Sequence, residues 1–132
     1  MTIELNYCVI GAGNGGMAMA GYLAMIGYEV NLYNRTLEHI LPLIKKPIIS
    51  LTGAEKGIGK LNKVTNLMKE AIKDVDVIMV TVPAMGHYEI AREMAPHLRD
   101  GQIIVLNPGR TGGALEVYET IRKHNCDKNI IV

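Results

Sequence analysis

The sequence predicts an α/β fold, a doubly wound and mostly parallel sheet with a small inserted hairpin. Three observations carry that expectation. Short apolar runs alternate with helical stretches over most of the 132 residues. The first run stops at a glycine cluster that opens a helix, and a later run, Val75 to Val82, is apolar on both faces apart from Asp76 and Thr81. Strands of that kind belong to parallel sheets covered by helices on both sides, and strand-helix alternation is the pattern of right-handed crossovers.

Taken in order, Leu5 to Ile10 reads as the first strand, Gly11 to Gly16 as a tight turn, and Met17 to about Ile26 as a helix of small residues. Gly27 ends that helix in a left-handed conformation, and Glu29 to Tyr33 form the second strand. Strand, helix and strand fit within ~30 residues, the size of a minimal parallel crossover. Thr36 caps a helix that runs to about Leu41 and stops at Pro42. Pro47 to Val64 changes character. Ile48 to Thr52 and Ile58 to Val64 flank Gly-Ala-Glu-Lys-Gly, which suggests a hairpin or meander inserted into the α/β order. Asn66 to Asp74 reads as a helix, and Val75 to Val82 as a buried strand that ends at Pro83. A helix from about His87 to Leu98, a strand from Gln102 to Leu106, a glycine loop from Asn107 to Gly113 and a helix from about Ala114 to Lys123 follow. The last apolar run, Asn129 to Val132, has nothing polar after it and reads as a cut near a domain boundary.

With 48% hydrophobic residues, the chain can bury one core, as a single domain 1–132, without disulfides or metal. Fourteen basic and 13 acidic residues leave a net charge of +1, which argues against nucleic acid or an anionic membrane as partner. No apolar run approaches the roughly 20 residues of a membrane span, and the N-terminal MTIELNY lacks the basic region of a signal peptide. Cys8 and Cys126 form neither a CxxC nor a metal-ligand cluster, which suits a reducing, cytoplasmic compartment. Eight Met residues stand in for the absent Trp and Phe as core filler.

Gly11-Ala12-Gly13-Asn14-Gly15-Gly16 fits G-x-G-x-x-G between a strand and a helix. Gly11 permits the tight turn, Gly13 lets the backbone approach a pyrophosphate, and Gly16 lets the helix pack on the strand. Amides at the helix N-terminus, with Asn14 and Gly15, then hold the phosphates. A glycine turn alone needs no ligand, but the flanking strands and helix make this a Rossmann-type dinucleotide site. A carboxylate about 20 residues beyond the motif would bind the ribose of NAD. The chain instead reads Tyr33-Asn34-Arg35-Thr36. Asn34 can hydrogen-bond a ribose, Arg35 can pair with a 2′-phosphate and lie against adenine, and Thr36 adds a hydroxyl. This favours NADP(H) over NAD(H). NAD(H) stays open, with Arg35 then a solvated loop residue and Glu38 serving the ribose.

Three segments, VIGAGNGG from Val9 to Gly16, TVPAMGH from Thr81 to His87 and LNPGRTGGALE from Leu106 to Glu116, resemble the octopine, nopaline and other opine dehydrogenases, within the 6-phosphogluconate-dehydrogenase-like group. The resemblance covers essentially the whole chain as that family's N-terminal domain. It implies reductive condensation of a 2-oxo acid with an amino acid by NAD(P)H. It also implies acid-base chemistry by His and Asp residues of a helical C-terminal domain that these residues do not contain. The YNRT element equally resembles NADP-using 6-phosphogluconate and 3-hydroxyisobutyrate-type reductases. Two alternatives therefore stay open: a ketopantoate- or 6-phosphogluconate-type reductase, and an NAD(P)-sensing module without catalysis.

At the carboxyl edge of the sheet, the backbone of Val82, Pro83 and Ala84 is expected to flank the cofactor. Asn107, Pro108 and Gly109 would place the nicotinamide, and Met85 either covers the cofactor or is buried. His87 reads as a solvated first-turn residue rather than a substrate contact, and Arg110 as an ordinary loop arginine or a carboxylate contact. His39, His97 and His124 suggest neither metal nor catalysis. Lys45, Lys46, Lys56, Lys60 and Lys63 read as a solvated face. No catalytic residue is assigned, a homodimer stays open, and the chain by itself is expected to bind cofactor and turn over nothing.

Overall fold

A computed structural model of the chain describes residues 5–53, 56–107, 113–124 and 128–132. The central sheet has five parallel strands in the order β5-β2-β1-β6-β7, with β1 Asn6–Ile10, β2 Glu29–Tyr33, β5 Lys63–Thr65, β6 Val77–Val80 and β7 Ile103–Leu106. The chain starts in the middle, builds outward through β2 and β5, then returns to β6 on the other side of β1. The strand order reverses between β1 and β6, where a crevice opens at the carboxyl ends of the strands.

Strand alternation sorts the core into two layers. Cys8 and Ile10 of β1 face one side and Val9 the other, all with no exposure. The first layer is completed by helices α3 (Met68–Ile72), α4 (His87–Met94) and α5 (Gly113–Lys123), through Ile72, Met94 and Ile121. The second is closed by helices α1 (Asn14–Met25) and α2 (Leu37–Lys45), through Ala20 and Ile40, and by the antiparallel hairpin of β3 (Ile48–Leu51) and β4 (Gly57–Lys60). Each fully buried Leu or Ile of these layers contributes roughly 1.5–3 kcal/mol. The buried Gln102 side chain is tied to backbone, its Nε2 donating to the carbonyls of Ile72 and Val75 at 2.9 and 3.0 Å.

The fold class and the inserted hairpin are as the sequence predicts, and Gly27 has φ +110° at the end of α1. Several boundaries differ. The first helix begins at Asn14, so half of the glycine cluster is helical. The second does not stop at Pro42 but continues to Lys45, with Pro42 exposed and its carbonyl accepting from Lys46 N–H at 3.0 Å. Burial of Ile40 and of the half-buried Leu43 holds this helix across the proline. The stretch from Ile58 to Val64 divides: its first part pairs with β3, whereas Lys63–Thr65 joins the main sheet beside β2. The helix expected from Asn66 to Asp74 shrinks to α3, and that expected to Leu98 ends at Met94 and continues as a short 3₁₀ turn, Ala95–His97. The final apolar run makes one parallel bridge, Ile103 to Ile131, in place of a strand. No described helix is long and apolar enough to cross a membrane.

Candidate functional site

The glycine loop sits at the point where the strand order reverses. Gly11 has φ +110°, and a Cβ there would lie 2.8 Å from Thr81 Oγ1. A Cβ on Gly16 would lie 1.8 Å from the Gly11 carbonyl oxygen, so only glycine lets α1 start this close to β1. Gly13 and Gly15, by contrast, are exposed and would meet nothing within 4 Å. The N-cap position of α1 is Gly13, without a side-chain cap, and no acidic residue lies in the first turn. The first-turn amides of a 12-residue helix are thus left without a side-chain acceptor and keep their full partial positive charge. An open, uncapped helix start fits the pyrophosphate of a dinucleotide.

Three side chains and one backbone carbonyl brace the loop. Thr81 Oγ1 donates to the carbonyls of Ile10 and Gly11 at 2.8 and 3.2 Å, joining β6 to the turn. Asn34 is engaged at both ends of its amide: Oδ1 accepts from Ala12 N–H at 3.1 Å and Nδ2 donates to the Thr36 carbonyl at 3.0 Å. His39 Nε2 donates to the Ala12 carbonyl at 2.8 Å. Tyr33 closes β2, its carbonyl accepting from Gly11 N–H at 2.8 Å. His39 and Thr81 escaped the sequence reading, because their partners are backbone atoms distant along the chain.

Beside the loop lies a cavity of about 260 Å³, walled by Tyr33, Arg35, Val82, Pro83, Ile90 and Glu93 among others. A neighbouring cavity of about 530 Å³ shares Tyr33, Arg35 and Glu93 and extends toward Lys69, Arg92 and His97. Arg35 is exposed, whereas Tyr33 is 3% exposed and its hydroxyl donates to Glu93 Oε2 at 2.7 Å. Burial, then the bond to Glu93, push the Tyr33 hydroxyl well above the usual tyrosine range, so it stays a donor. The 3₁₀ turn Ala84–Gly86 follows β6, with Gly86 N–H donating to the Pro83 carbonyl at 2.8 Å. Another cavity of about 260 Å³ opens at the amino ends of the strands, near Asn6, Asn62 and Lys73. It has neither a helix start nor an unpartnered buried amide, since Asn31 is bonded to Ala71 and Asn62.

The structure thus brings Gly11, Gly13, Asn14, Gly15, Gly16, Asn34, Arg35, Val82 and Pro83 to one edge. Thr36 is exposed at the start of α2 without a side-chain cap bond. Asn107 lies on the same edge, its N–H bonded to the Val80 carbonyl at 2.8 Å and its Nδ2 buried without a partner. Pro108, Gly109, Arg110 and Cys126 lie outside the described residues. Met85 is 90% exposed beside the smaller cavity rather than buried. The expectation for His87 is corrected: it is 1% exposed, with Nε2 unpartnered. The first turn of α4 lies beneath the start of α5, where a Cβ on Gly113 would come 3.9 Å from His87 Nδ1. Of the lysines, Lys63 pairs with Glu70 at 3.5 Å, and the other four are exposed. Among the described residues no three His, Cys, Asp or Glu side chains gather as metal ligands.

The family model described as ketopantoate reductase PanE/ApbA matches residues 7–132. An opine dehydrogenase of Arthrobacter sp. (strain 1C) is 39% identical over 121 residues, covering 91% of this chain and 34% of the relative. An NAD(P)+ glycerol-3-phosphate dehydrogenase of Lactobacillus delbrueckii subsp. bulgaricus is 33% identical over 102 residues, covering 74% of this chain and 28% of the relative. The solved structure of an octopine dehydrogenase in complex with NADH and agmatine superposes with a TM-score of 0.72 at 25% identity, over 89% of this chain and 32% of that one. The chain thus spans about a third of the length of these relatives.

Proposed function

The chain belongs to the ketopantoate reductase PanE/ApbA family, and on that premise we propose that it is the NADP(H)-binding domain of an opine dehydrogenase-type oxidoreductase, which reductively condenses an amino acid with a 2-oxo acid. The observation that carries this is the uncapped start of α1 at the point of strand reversal, beside a cavity with Arg35 on its wall. Gly11 and Gly16 shape the loop, and the amides of Gly13, Asn14, Gly15 and Gly16 hold the pyrophosphate. Asn34 fixes Ala12 in place, and Arg35 and Thr36 receive the 2′-phosphate. Val82, Pro83 and Ala84 flank the adenosine, and Asn107, Pro108 and Gly109 face the nicotinamide. The reduced nicotinamide, when bound, supplies a hydride. The residues of this chain bind and orient it, while substrate binding and proton transfer belong to a further domain of the enzyme. The NADP(H) assignment draws on the missing carboxylate after β2, where Asn34 and Arg35 stand instead. A cytoplasmic setting fits Cys8, a free and fully buried thiol. The family model favours a second reading, a ketopantoate-type reductase with the same cofactor site. Assays of the complete enzyme with pyruvate plus amino acids against ketopantoate distinguish the two.

Calorimetric titration of the chain with NADPH and NADH, beside Arg35→Ala, tests the cofactor assignment. NADPH is expected to bind more tightly, and the variant to lose about tenfold, the scale of a charge-assisted hydrogen bond. Equal or NADH-favoured binding would transfer the ribose to Asn34 or Glu38 and end the NADP(H) assignment. Absence of binding by either would end the dinucleotide reading for this chain.

A further inference from the structure

We propose that the adenosine end of this site reads its base through the 6-amino group, with the Glu93 carboxylate as acceptor and the Tyr33 hydroxyl holding that carboxylate in place. The inference rests on the dinucleotide reading and adds base selectivity to it. Ile90, Ala91 and Met94 bury one stripe of α4 in the core, which brings the flanking Glu89 and Glu93 to the cavity wall. The two carboxylates differ. Glu89 is paired with Arg92 at 3.1 Å. Glu93 is half-buried, and the two ion pairs found among the described residues, Lys63–Glu70 and Arg92–Glu89, do not include it. Its fixed partner is the Tyr33 hydroxyl on Oε2 at 2.7 Å, which leaves Oε1 as an acceptor.

The rest of that wall is suited to a flat ring: Val82, Pro83 and Ile90 supply apolar contact and Arg35 a guanidinium plane. A carboxylate oxygen partly withdrawn from water next to apolar groups favours a ligand that brings a donor. Adenine brings one in its 6-amino group. Hypoxanthine carries a carbonyl oxygen in place of that amino group, which a carboxylate placed to accept there repels. Tyr33 restricts the rotation of Glu93, so the acceptor is fixed before the base arrives and little side-chain entropy is lost on binding. Both residues act on recognition of the base, away from the nicotinamide.

The test is competitive binding of NADPH and its deamino analogue, reduced nicotinamide hypoxanthine dinucleotide phosphate, to the chain and to its Glu93→Gln and Tyr33→Phe variants. The wild type is expected to prefer the adenine form by about tenfold or more, the scale of one hydrogen bond to a charged group. Glu93→Gln, whose amide can donate to a 6-carbonyl, should collapse that ratio toward one. Tyr33→Phe should reduce it while the adenine form still binds. Equal binding of the two dinucleotides by the wild type overturns the inference and leaves the dinucleotide reading standing, as does a ratio unchanged in Glu93→Gln. Failure of both to bind overturns the reading and the inference together.

Discussion

At the scale of single residues, the glycines of the loop separate into those the fold requires and those that leave room for a ligand. A Cβ on Gly16 meets backbone, 1.8 Å from the Gly11 oxygen and 2.9 Å from its carbon, so no side-chain rotation relieves it. Gly16→Ala is therefore expected to destabilise the chain by about 1–3 kcal/mol in urea unfolding, the usual scale of overpacking. Gly13→Ala, with open space around it and φ −75°, should leave stability nearly unchanged yet weaken dinucleotide binding. A stable Gly16→Ala would refute the packing role, and unweakened binding by Gly13→Ala would refute the approach of a phosphate there. These glycines were legible in the sequence because the fingerprint is local. Asn34 was found as a site residue, but its actual bonds, to Ala12 and Thr36, emerge only from the fold. His87 is buried where the sequence predicts a solvated residue: a histidine opening a helix after a loop has the local pattern of a solvated residue, whereas the start of α5 packs against it in the fold.

At the scale of elements, the hairpin of β3 and β4 is held by contact with α1 as much as by its own pairing. A Cβ on Gly59 would lie 2.2 Å from the Gly21 oxygen, and one on Gly21 would lie 2.8 Å from Ile49 Cγ2. Helix and hairpin touch backbone to backbone through these two glycines. Gly59→Ala should push the hairpin off the helix, with faster hydrogen exchange at 48–51 and 57–60 while β1, β2 and β6 keep their protection. Unchanged exchange in the hairpin would show that the close approach carries no stability. The sequence showed the glycine punctuation of this segment without its purpose. It also could not divide Ile58 to Val64, since alternation describes any half-buried strand and leaves its partner unspecified. β5 goes to the main sheet because Asn62 N–H donates to the Val30 carbonyl at 2.8 Å and its side chain bonds Asn31, which sets the register beside β2.

At the scale of the whole molecule, the proposed cofactor bridges the loops after β1, β2, β6 and β7, so binding should stabilise the folded chain as one unit. At a free concentration about a hundred times Kd, mass action adds about 2.7 kcal/mol. Thermal unfolding with NADPH should show a higher midpoint, and Arg35→Ala a smaller rise at the same concentration; an unmoved midpoint would contradict binding at this edge. What the sequence determined by itself was the α/β class, the place of the glycine loop between strand and helix, and the absence of a carboxylate after the second strand. Each of these is written in residues a few positions apart, where spacing and backbone preference suffice. The tertiary structure decided the strand partner of β5, the seat of the hairpin on α1, the burial of His87 and the meeting of Tyr33 with Glu93. Each of these joins residues far apart along the chain, and their pairing is selected by which faces are buried together rather than by any local pattern.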